Sequence, residues 1–435
     1  MSDVESHGWG RFPRVLAQVS SPLTAADCAR SLSEGSLIPR GMGRSYGDSA
    51  LASRLLSTRY LDWFERFDVA TGVICCSAGV SLDDILHFGV PRGWFLPVTP
   101  GTRYVSVGGA IASDVHGKNH HRDGTLSRHV RRIELMLGNG ERVFASELEN
   151  IDLFRATCGG MGLTGVILSA ELQLIPIRSS DIIETTLKSP CLDAILEAFE
   201  THADAAYSVA WIDCLARGAR LGRSLLMLGE HAQEGPLEFE GRRPSSVPFD
   251  MPAGLLNRTS VSAFNALYYG RVRRAEKTRR VRFEPYFYPL DALSDWNRLY
   301  GRPGFIQYQC VLPKAAGMIG LREILRRIGD SGRGSFLAVL KAFGAANMNP
   351  LSFPTEGYTL ALDFKVEQSV FELLDKLDSI VLHHGGRLYL TKDSRMGEAM
   401  FKSSYPRWQE FEETRARWHA HGHFASLQSR RLGLQ

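Results

Sequence analysis

Arg40-Gly41-Met42-Gly43-Arg44-Ser45-Tyr46-Gly47-Asp48, which follows the β-like stretch Ser36-Leu37-Ile38-Pro39, is the segment whose reading decides the fold. Glycine tolerates positive φ and lets backbone approach a phosphate closely, so this loop reads either as a turn or as an anion cradle. Its spacing is G-x-G-x-x-x-G, one residue longer than the dinucleotide fingerprint, which does not support a Rossmann site. A second stretch, from Pro100-Gly101-Thr102 through Gly108-Gly109-Ala110-Ile111-Ala112, adds further backbone donors and small residues. A G-x-G-x-x-G does occur at Gly160, Gly162 and Gly165, but a helical pattern precedes it and a strand pattern follows. That reverses the strand-glycines-helix order a pyrophosphate site requires.

Outward from these loops, Val73-Ile74-Cys75-Cys76 reads as a strand, followed after Ala78-Gly79 by a short helix with Leu82, Ile85 and Leu86 on one face. Residues 132–143 read as a hairpin turned by Gly138-Asn139-Gly140. Residues 151–177 read as a helix, a glycine cluster and a strand from Val166 to Leu174. After Ile177 to Asp181 the glycine spacing loosens, and helical windows such as Leu192 to Phe199 alternate with strand-like ones such as Phe305 to Leu312. A domain boundary is expected there.

The chain has 435 residues, enough for two to four domains, with 44% apolar residues and a net charge of 51 − 47 = +4. Such a balance excludes a disordered or nucleic-acid-coating protein. Seven cysteines without a Cys-x-x-Cys spacing argue against a disulfide framework or a zinc site and for a reducing compartment. The acidic start, Met1 to Glu5, shows no targeting signal. The longest uncharged run, Ala156 to Ala170, is too short and too glycine-rich to span a bilayer, so a cytoplasmic location is expected.

Charge concentrates locally instead. Arg271, Arg273, Arg274, Lys277, Arg279, Arg280 and Arg282 face the single acid Glu276 within residues 271–282. The segment reads as a solvated face or as a dock for anionic lipid headgroups or a phosphate-bearing substrate. No reading helix or finger accompanies it, so nucleic acid is not an expected partner. Asp114-Val115-His116-Gly117-Lys118-Asn119-His120-His121 gathers three histidines and a lysine. It reads as a catalytic loop, as a polar solvated loop, or as a metal pair at His116 and His120. The last lacks a carboxylate or thiol at ligand spacing, and no metal is expected.

These loops together resemble a known family. R-G-x-G-R-S-Y-G-D at Arg40 to Asp48, P-G-T-R at Pro100, V-G-G-A-I-A-S-D-V-H-G-K-N-H-H from Val107 and G-G-x-G-L-T-G-V-I from Gly159 are similar to the PCMH-type FAD-binding domain of the vanillyl-alcohol-oxidase superfamily. Similarity to its decaprenylphosphoryl-ribose oxidase branch continues through Ser208 to Asp213, Trp296 to Gln309, Leu351 to Pro354 and Gly386 to Arg395. The resemblance implies an α+β fold, with a two-subdomain FAD-binding domain at 6–177, an inserted antiparallel-sheet substrate domain at 178–386 and a C-terminal return at 387–435.

It further implies that Arg40, Gly41, Gly43, Arg44, Ser45, Tyr46, Gly47, Gly101 and Thr102 wrap the FAD pyrophosphate, while Gly108, Ala112, Gly117 and Val166 line the rest. Covalent relatives carry a histidine where this loop has Arg44, so noncovalent FAD is implied. His116 and Lys392 are the implied groups for hydroxyl deprotonation and charge stabilisation, with Lys392 also touching the flavin and Lys118 facing the substrate. Trp211, Arg298, Gln307, Gln309 and Lys341 are the implied substrate contacts: aromatic and amide groups for a furanose ring, Lys341 for phosphate. The implied reaction passes the C2 hydride of a polyprenylphosphoryl-ribose to FAD, and a separate NAD(P)H-dependent short-chain reductase completes epimerisation to the arabinose donor. The lipid-linked substrate implies a peripheral position at the inner face of the plasma membrane. Phe287, Thr359 and Ala361 depart from the family's tyrosine, asparagine and cysteine, so the reaction class transfers better than the exact lipid. An alditol or sugar-lactone oxidase using dioxygen, and a flavoprotein scaffold without turnover, are the alternative readings.

Overall fold

The computed structural model describes residues 3–239, 241, 244–252 and 254–435. The first glycine loop leaves the short strand Ile38–Arg40 at the edge of a four-stranded sheet ordered Val4–His7, Arg14–Ser20, Arg54–Ser57, Ile38–Arg40. A second sheet is antiparallel and ordered Phe64–Asp68, Val73–Ser77, Val166–Gln173, Val130–Met136, Arg142–Ala145. The helix Leu82–Gly89 starts in a capping box between Ser81 and Asp84, which satisfies two otherwise orphaned backbone donors. It buries Leu82, Ile85 and Leu86 against Ile74, Ile133, Leu135 and Leu172 of that sheet. The helix Ile151–Thr157 precedes the glycine cluster and the strand Val166–Gln173 follows it, as the reading against a Rossmann site requires.

The third sheet has eight antiparallel strands, ordered Glu276–Arg282, Asp181–Ser189, Ser224–His231, Tyr207–Ile212, Ala338–Phe343, Gly357–Lys365, Phe305–Pro313, Arg387–Leu388. The two-residue alternation of strands gives this sheet unlike faces. One presents Ala210, Ile212, Leu340, Leu360, Leu362, Cys310 and Leu312 to the helices Leu192–Thr201, Lys314–Ser331 and Gln368–His383. Those helices answer with Leu321, Ile324, Leu325 and Ile328, and with Val370, Leu373, Leu374, Leu377 and Val381, at three- and four-residue spacing. Each such side chain contributes about 1.5–3 kcal/mol of burial free energy, and the opposite face is thereby free to be polar.

The basic segment is ordered. Arg271 ends the helix Arg258–Gly270, and Glu276–Arg282 is the edge strand of the large sheet. Arg279 stands directly opposite Glu184 and pairs with it at 2.9 Å; Arg280 pairs with Asp181 and Arg282 with Glu284. Among the described residues no helix is long and apolar enough to cross a membrane.

The C-terminal helices Glu398–Ser404, Trp408–Arg417 and Leu427–Arg431 return to the first half of the chain. Arg415 is completely buried, donates to the carbonyls of Leu163 (3.0 Å) and Phe424 (2.9 Å), and pairs with Glu412. It ties the glycine cluster to the tail. Arg415→Met removes the donor to both carbonyls and strands a partly buried carboxylate, and is expected to cost roughly 3 kcal/mol or more in denaturant unfolding. Arg415→Lys should recover only part of this, because a lysine lacks the planar fork.

Candidate functional site

The polar face of the large sheet and the glycine loops enclose one cavity of about 1040 Å³. That lies at the upper end of ligand pockets and leaves room for a large cofactor together with a substrate. Gly41, Gly43, Arg44, Ser45 and Tyr46 line one side, with Gly101, Thr102, Gly108, Ala112 and Gly117. Small residues are required here. A Cβ on Gly41 would stand 2.1 Å from Ser106 Oγ, and Gly43 takes φ +65°. Arg40 also lines the cavity, and its guanidinium fastens the loop by donating to the carbonyls of His7 (2.7 Å) and Ala50 (3.1 Å).

The His116 loop is held from beneath by Asp114, whose Oδ2 accepts from Ser352 Oγ (2.6 Å), Asn347 (2.7 Å) and Asn349 (3.0 Å). His116 is buried among Phe343, Phe353 and Tyr389. Gln309 Nε2 donates to His116 Nε2 at 3.1 Å, so the ring proton is assigned to Nδ1, which has no partner among the described residues. Burial first, then Lys341, His120 and Lys392, holds this imidazole well below its ordinary pKa, and it stays neutral. His120 accepts from the Gly344 amide through Nδ1 and packs on Phe343, so it braces the loop.

Strand register assembles the opposite wall. Trp211 pairs with Val339, Val339 with Ala361 and Ala361 with Gln309, while Lys341 pairs with Thr359 and Asp363 with Gln307. By the two-residue period these positions share one face, and Trp211, Lys341, Ala361, Asp363, Gln307 and Gln309 all line the cavity. Three lysines converge here. Withdrawal from water lowers Lys341 to about 8, and with Lys341 nearby it lowers Lys118 and Lys392 to about 7. Lys118 donates to the Tyr286 carbonyl beside the Tyr286 and Phe287 rings, and Lys392 Nζ stands 3.6 Å from the Tyr46 ring centroid.

Asp363 was missed in the sequence. It is buried, accepts from Gln307 (2.6 Å) and Tyr300 (3.4 Å), and burial raises its carboxyl to about 7 against the pull of Gln307 and Lys392. A signal exists in the sequence: Thr359 and Ala361 are two of the departures from the family pattern, and alternation along one strand puts Asp363 next on the same face.

Three expected residues lie outside the cavity lining, which corrects the reading of their side chains. Arg298 turns away and donates to the carbonyls of Val247 and Pro248. Val166 packs with Met136, Leu168 and Phe424, leaving Gly165 and Ile167 at the wall. Gly47 serves a junction: its Cβ would lie 1.8 Å from the Asp393 carbonyl, so glycine lets the first loop touch the turn carrying Lys392. Phe287 and Ala361, two of the departures, line the cavity, and Thr359 accepts from Gln309 at 3.2 Å.

The residues present fit FAD: a glycine cradle with room only for backbone, an unpartnered buried imidazole N–H, and cations beside the cavity. The FAD binding domain family matches residues 13–146. Decaprenylphosphoryl-beta-D-ribose oxidase of Mycolicibacterium smegmatis is 37% identical, over 98% of this chain and 97% of that protein. A putative D-arabinono-1,4-lactone oxidase of Neurospora crassa is 29% identical over 32% of this chain and 25% of its own length. Human delta(24)-sterol reductase is 34% identical over 20% of this chain and 17% of its own. The last two matches are partial, whereas the first runs through the sheet bearing Gln307, Gln309 and Lys341 and the turn bearing Lys392. The chain is an FAD-dependent oxidoreductase of the decaprenylphosphoryl-β-D-ribose oxidase family.

Proposed function

We propose that this enzyme oxidises the 2-hydroxyl of a polyprenylphosphoryl-β-D-ribose to the 2-keto sugar. The observation that carries this reading is the convergence of Lys118, Lys341 and Lys392 on the wall that also presents Trp211, Gln307 and Gln309. Burial and the charge of Lys341 hold Lys118 and Lys392 below their ordinary pKa, and a phosphate-bearing sugar is the ligand class that offsets the positive charge that remains, chiefly on Lys341. We assign residues 6–177 and 387–435 to the FAD-binding unit and 178–386 to the substrate unit.

FAD, held noncovalently by the glycine loops, supplies the hydride acceptor that no side chain provides. The chain's own groups manage the proton. Lys392, with a pKa of about 7, is substantially neutral near pH 7 and accepts the hydroxyl proton at Nζ. His116 keeps Nε2 engaged with Gln309 and offers Nδ1–H to a sugar oxygen. Lys341, with the highest pKa of the three, keeps the most positive charge at neutral pH and holds the phosphate. Gln307, fixed by Asp363, and the Trp211 ring orient the furanose. Reduction of the 2-keto product to the epimer needs a separate hydride donor, for which a NAD(P)H-dependent short-chain reductase is the partner. The lipid-linked substrate places the enzyme peripherally on an anionic membrane surface. There Arg271, Arg273, Arg274 and Lys277 remain available, since Arg279, Arg280 and Arg282 already pair with acids.

Anaerobic bleaching of the yellow protein by a short polyprenylphosphoryl-ribose, and not by free alditols or lactones, is the expected outcome. Bleaching by a free sugar alone would move the enzyme to the alditol-oxidase class. Lys392→Met should lower the bleaching rate by roughly 10²–10⁴-fold while the protein stays yellow. In the wild-type enzyme the rate should rise as pH increases through about 7, as Lys392 loses its proton, and then level off. Asp363 holds the Lys392 pKa up, so Asp363→Asn should move this rising limb to lower pH. An unmoved limb would remove Lys392 as the base.

A further inference from the structure

The helix Arg258–Gly270 contributes Phe264 and Tyr268 to the cavity lining, with Arg271 just beyond, and the exposure of Phe264 shows that the lining reaches the surface here. The roll of this helix is set by two buried residues on its inner face, Val261 and Asn265, the latter donating to Asp213 Oδ1 at 2.7 Å. At about 100° per residue, Tyr268 then points to the cavity, Phe264 stands at its rim and Leu267 lies one step further out.

The rings form a track along this path. Trp211 meets Tyr268 at 4.8 Å between centroids, Tyr268 stacks on Phe264 at 5.6 Å, and Phe264 meets Phe336 edge-on at 5.7 Å. Exposure climbs steadily, from 6% at Trp211 to 39% at Phe264 and 77% at Leu267. Leu255 is exposed at the start of the helix, where its carbonyl accepts from Ser260.

Along the sequence the charge of this lip has one sign as far as residue 275, and Glu184, the acid beside Tyr268, is paired with Arg279. Residues 251–275 contain no acid and four arginines, Arg258, Arg271, Arg273 and Arg274. Arg271 stands 3.7 Å from the ring centroid of Tyr268, the second ring of the track. An exposed leucine next to an aromatic track and a run of cations without acids suits the boundary of an anionic bilayer, where acyl chains meet phosphates.

Resting on the lipid-linked substrate reading, we propose that the helix Arg258–Gly270 and the following bases are the membrane-facing lip of the cavity. Leu267 and Leu255 enter the acyl boundary of an anionic bilayer. Arg273, Arg274 and Lys277 meet its phosphates. The isoprenoid chain passes from the bilayer along Leu267, Phe264 and Tyr268, so the phosphosugar reaches the cavity without leaving the membrane.

Flotation of the FAD-loaded full chain with phosphatidylglycerol–phosphatidylcholine vesicles tests this directly, with pure phosphatidylcholine vesicles as the comparison. The wild-type protein should float with the anionic vesicles. Leu255→Ser with Leu267→Ser, and separately Arg273→Ser with Arg274→Ser and Lys277→Ser, should each weaken binding by roughly 10- to 100-fold. Both variants should keep the wild-type melting temperature and the wild-type bleaching rate with a short-chain, water-soluble phosphosugar. Bleaching by long-chain substrate embedded in vesicles should fall with the loss of flotation. A wild-type protein that stays with the bulk solution, or variants that float as the wild type does, would overturn the proposal. Flotation needs no substrate, and bleaching in solution needs no membrane, so failure of the docking surface and failure of the substrate reading are seen separately.

Discussion

Arg431 stands between two carboxylates that belong to opposite ends of the chain. It pairs with Asp48 at 2.7 Å, directly after the first glycine loop, and with Asp393 at 2.9 Å, directly after Lys392. Between those anchors Gly47 touches the Asp393 backbone, and the Tyr46 amide donates to the Thr391 carbonyl at 3.1 Å. Backbone contact this close admits no side chain, and the ion pairs hold it with little freedom. The nucleotide cradle and the reactive lysine are therefore one rigid unit, although about 350 residues of chain separate them. The position of Lys392 over the Tyr46 ring is the direct consequence.

That unit would be inert without a second wall, and the large sheet supplies it by unlike faces. Leucines and isoleucines on one side bury against three helices and fix the strand register. Register then brings Trp211, Lys341, Asp363, Gln307 and Gln309 onto the other side. A slip of one residue would turn every one of these groups into the apolar layer, so the hydrophobic core and the polar site are specified by the same pairing. Lys118, Lys341 and Lys392 are withdrawn from water there, and the loss of hydration pushes each ammonium below its ordinary pKa.

Much of this was legible in the sequence because it is local. The glycine loops, the helix with Leu82, Ile85 and Leu86 on one face, the Gly138-Asn139-Gly140 hairpin and the His116 loop each carry their own turn chemistry or periodicity, and the structure follows them. Resemblance added Lys392 and the sheet contacts, which no local signal marks. Arg298 was misplaced because a motif match carries a position but not a side-chain direction, and neighbouring carbonyls captured its guanidinium. Asp363 was overlooked because a lone aspartate in a strand looks like a solvent-facing residue until its neighbours are known. The basic segment was half legible: its charge is plain, but the pairing of Arg279, Arg280 and Arg282 depends on which acids the sheet and the following helix place beside them.

Those pairings matter to how the enzyme meets its substrate. Had all seven bases stayed free, the edge strand would attract anions along its whole length, and the cavity mouth would be one option among many. With three bases paired to acids, Arg271, Arg273, Arg274 and Lys277 make no ion pair among the described residues and lie beside the apolar lip formed by Phe264 and Leu267. A headgroup drawn to those cations brings its acyl chain against the exposed leucine, and a phosphosugar at the same depth meets the aromatic track leading to Trp211. Attraction at the rim and lysines at the end of the track then act along a single path, with the phosphate passing from cations in water to cations withdrawn from it. Coulomb attraction strengthens as water is excluded, so the deeper position is favoured once the charges there are matched.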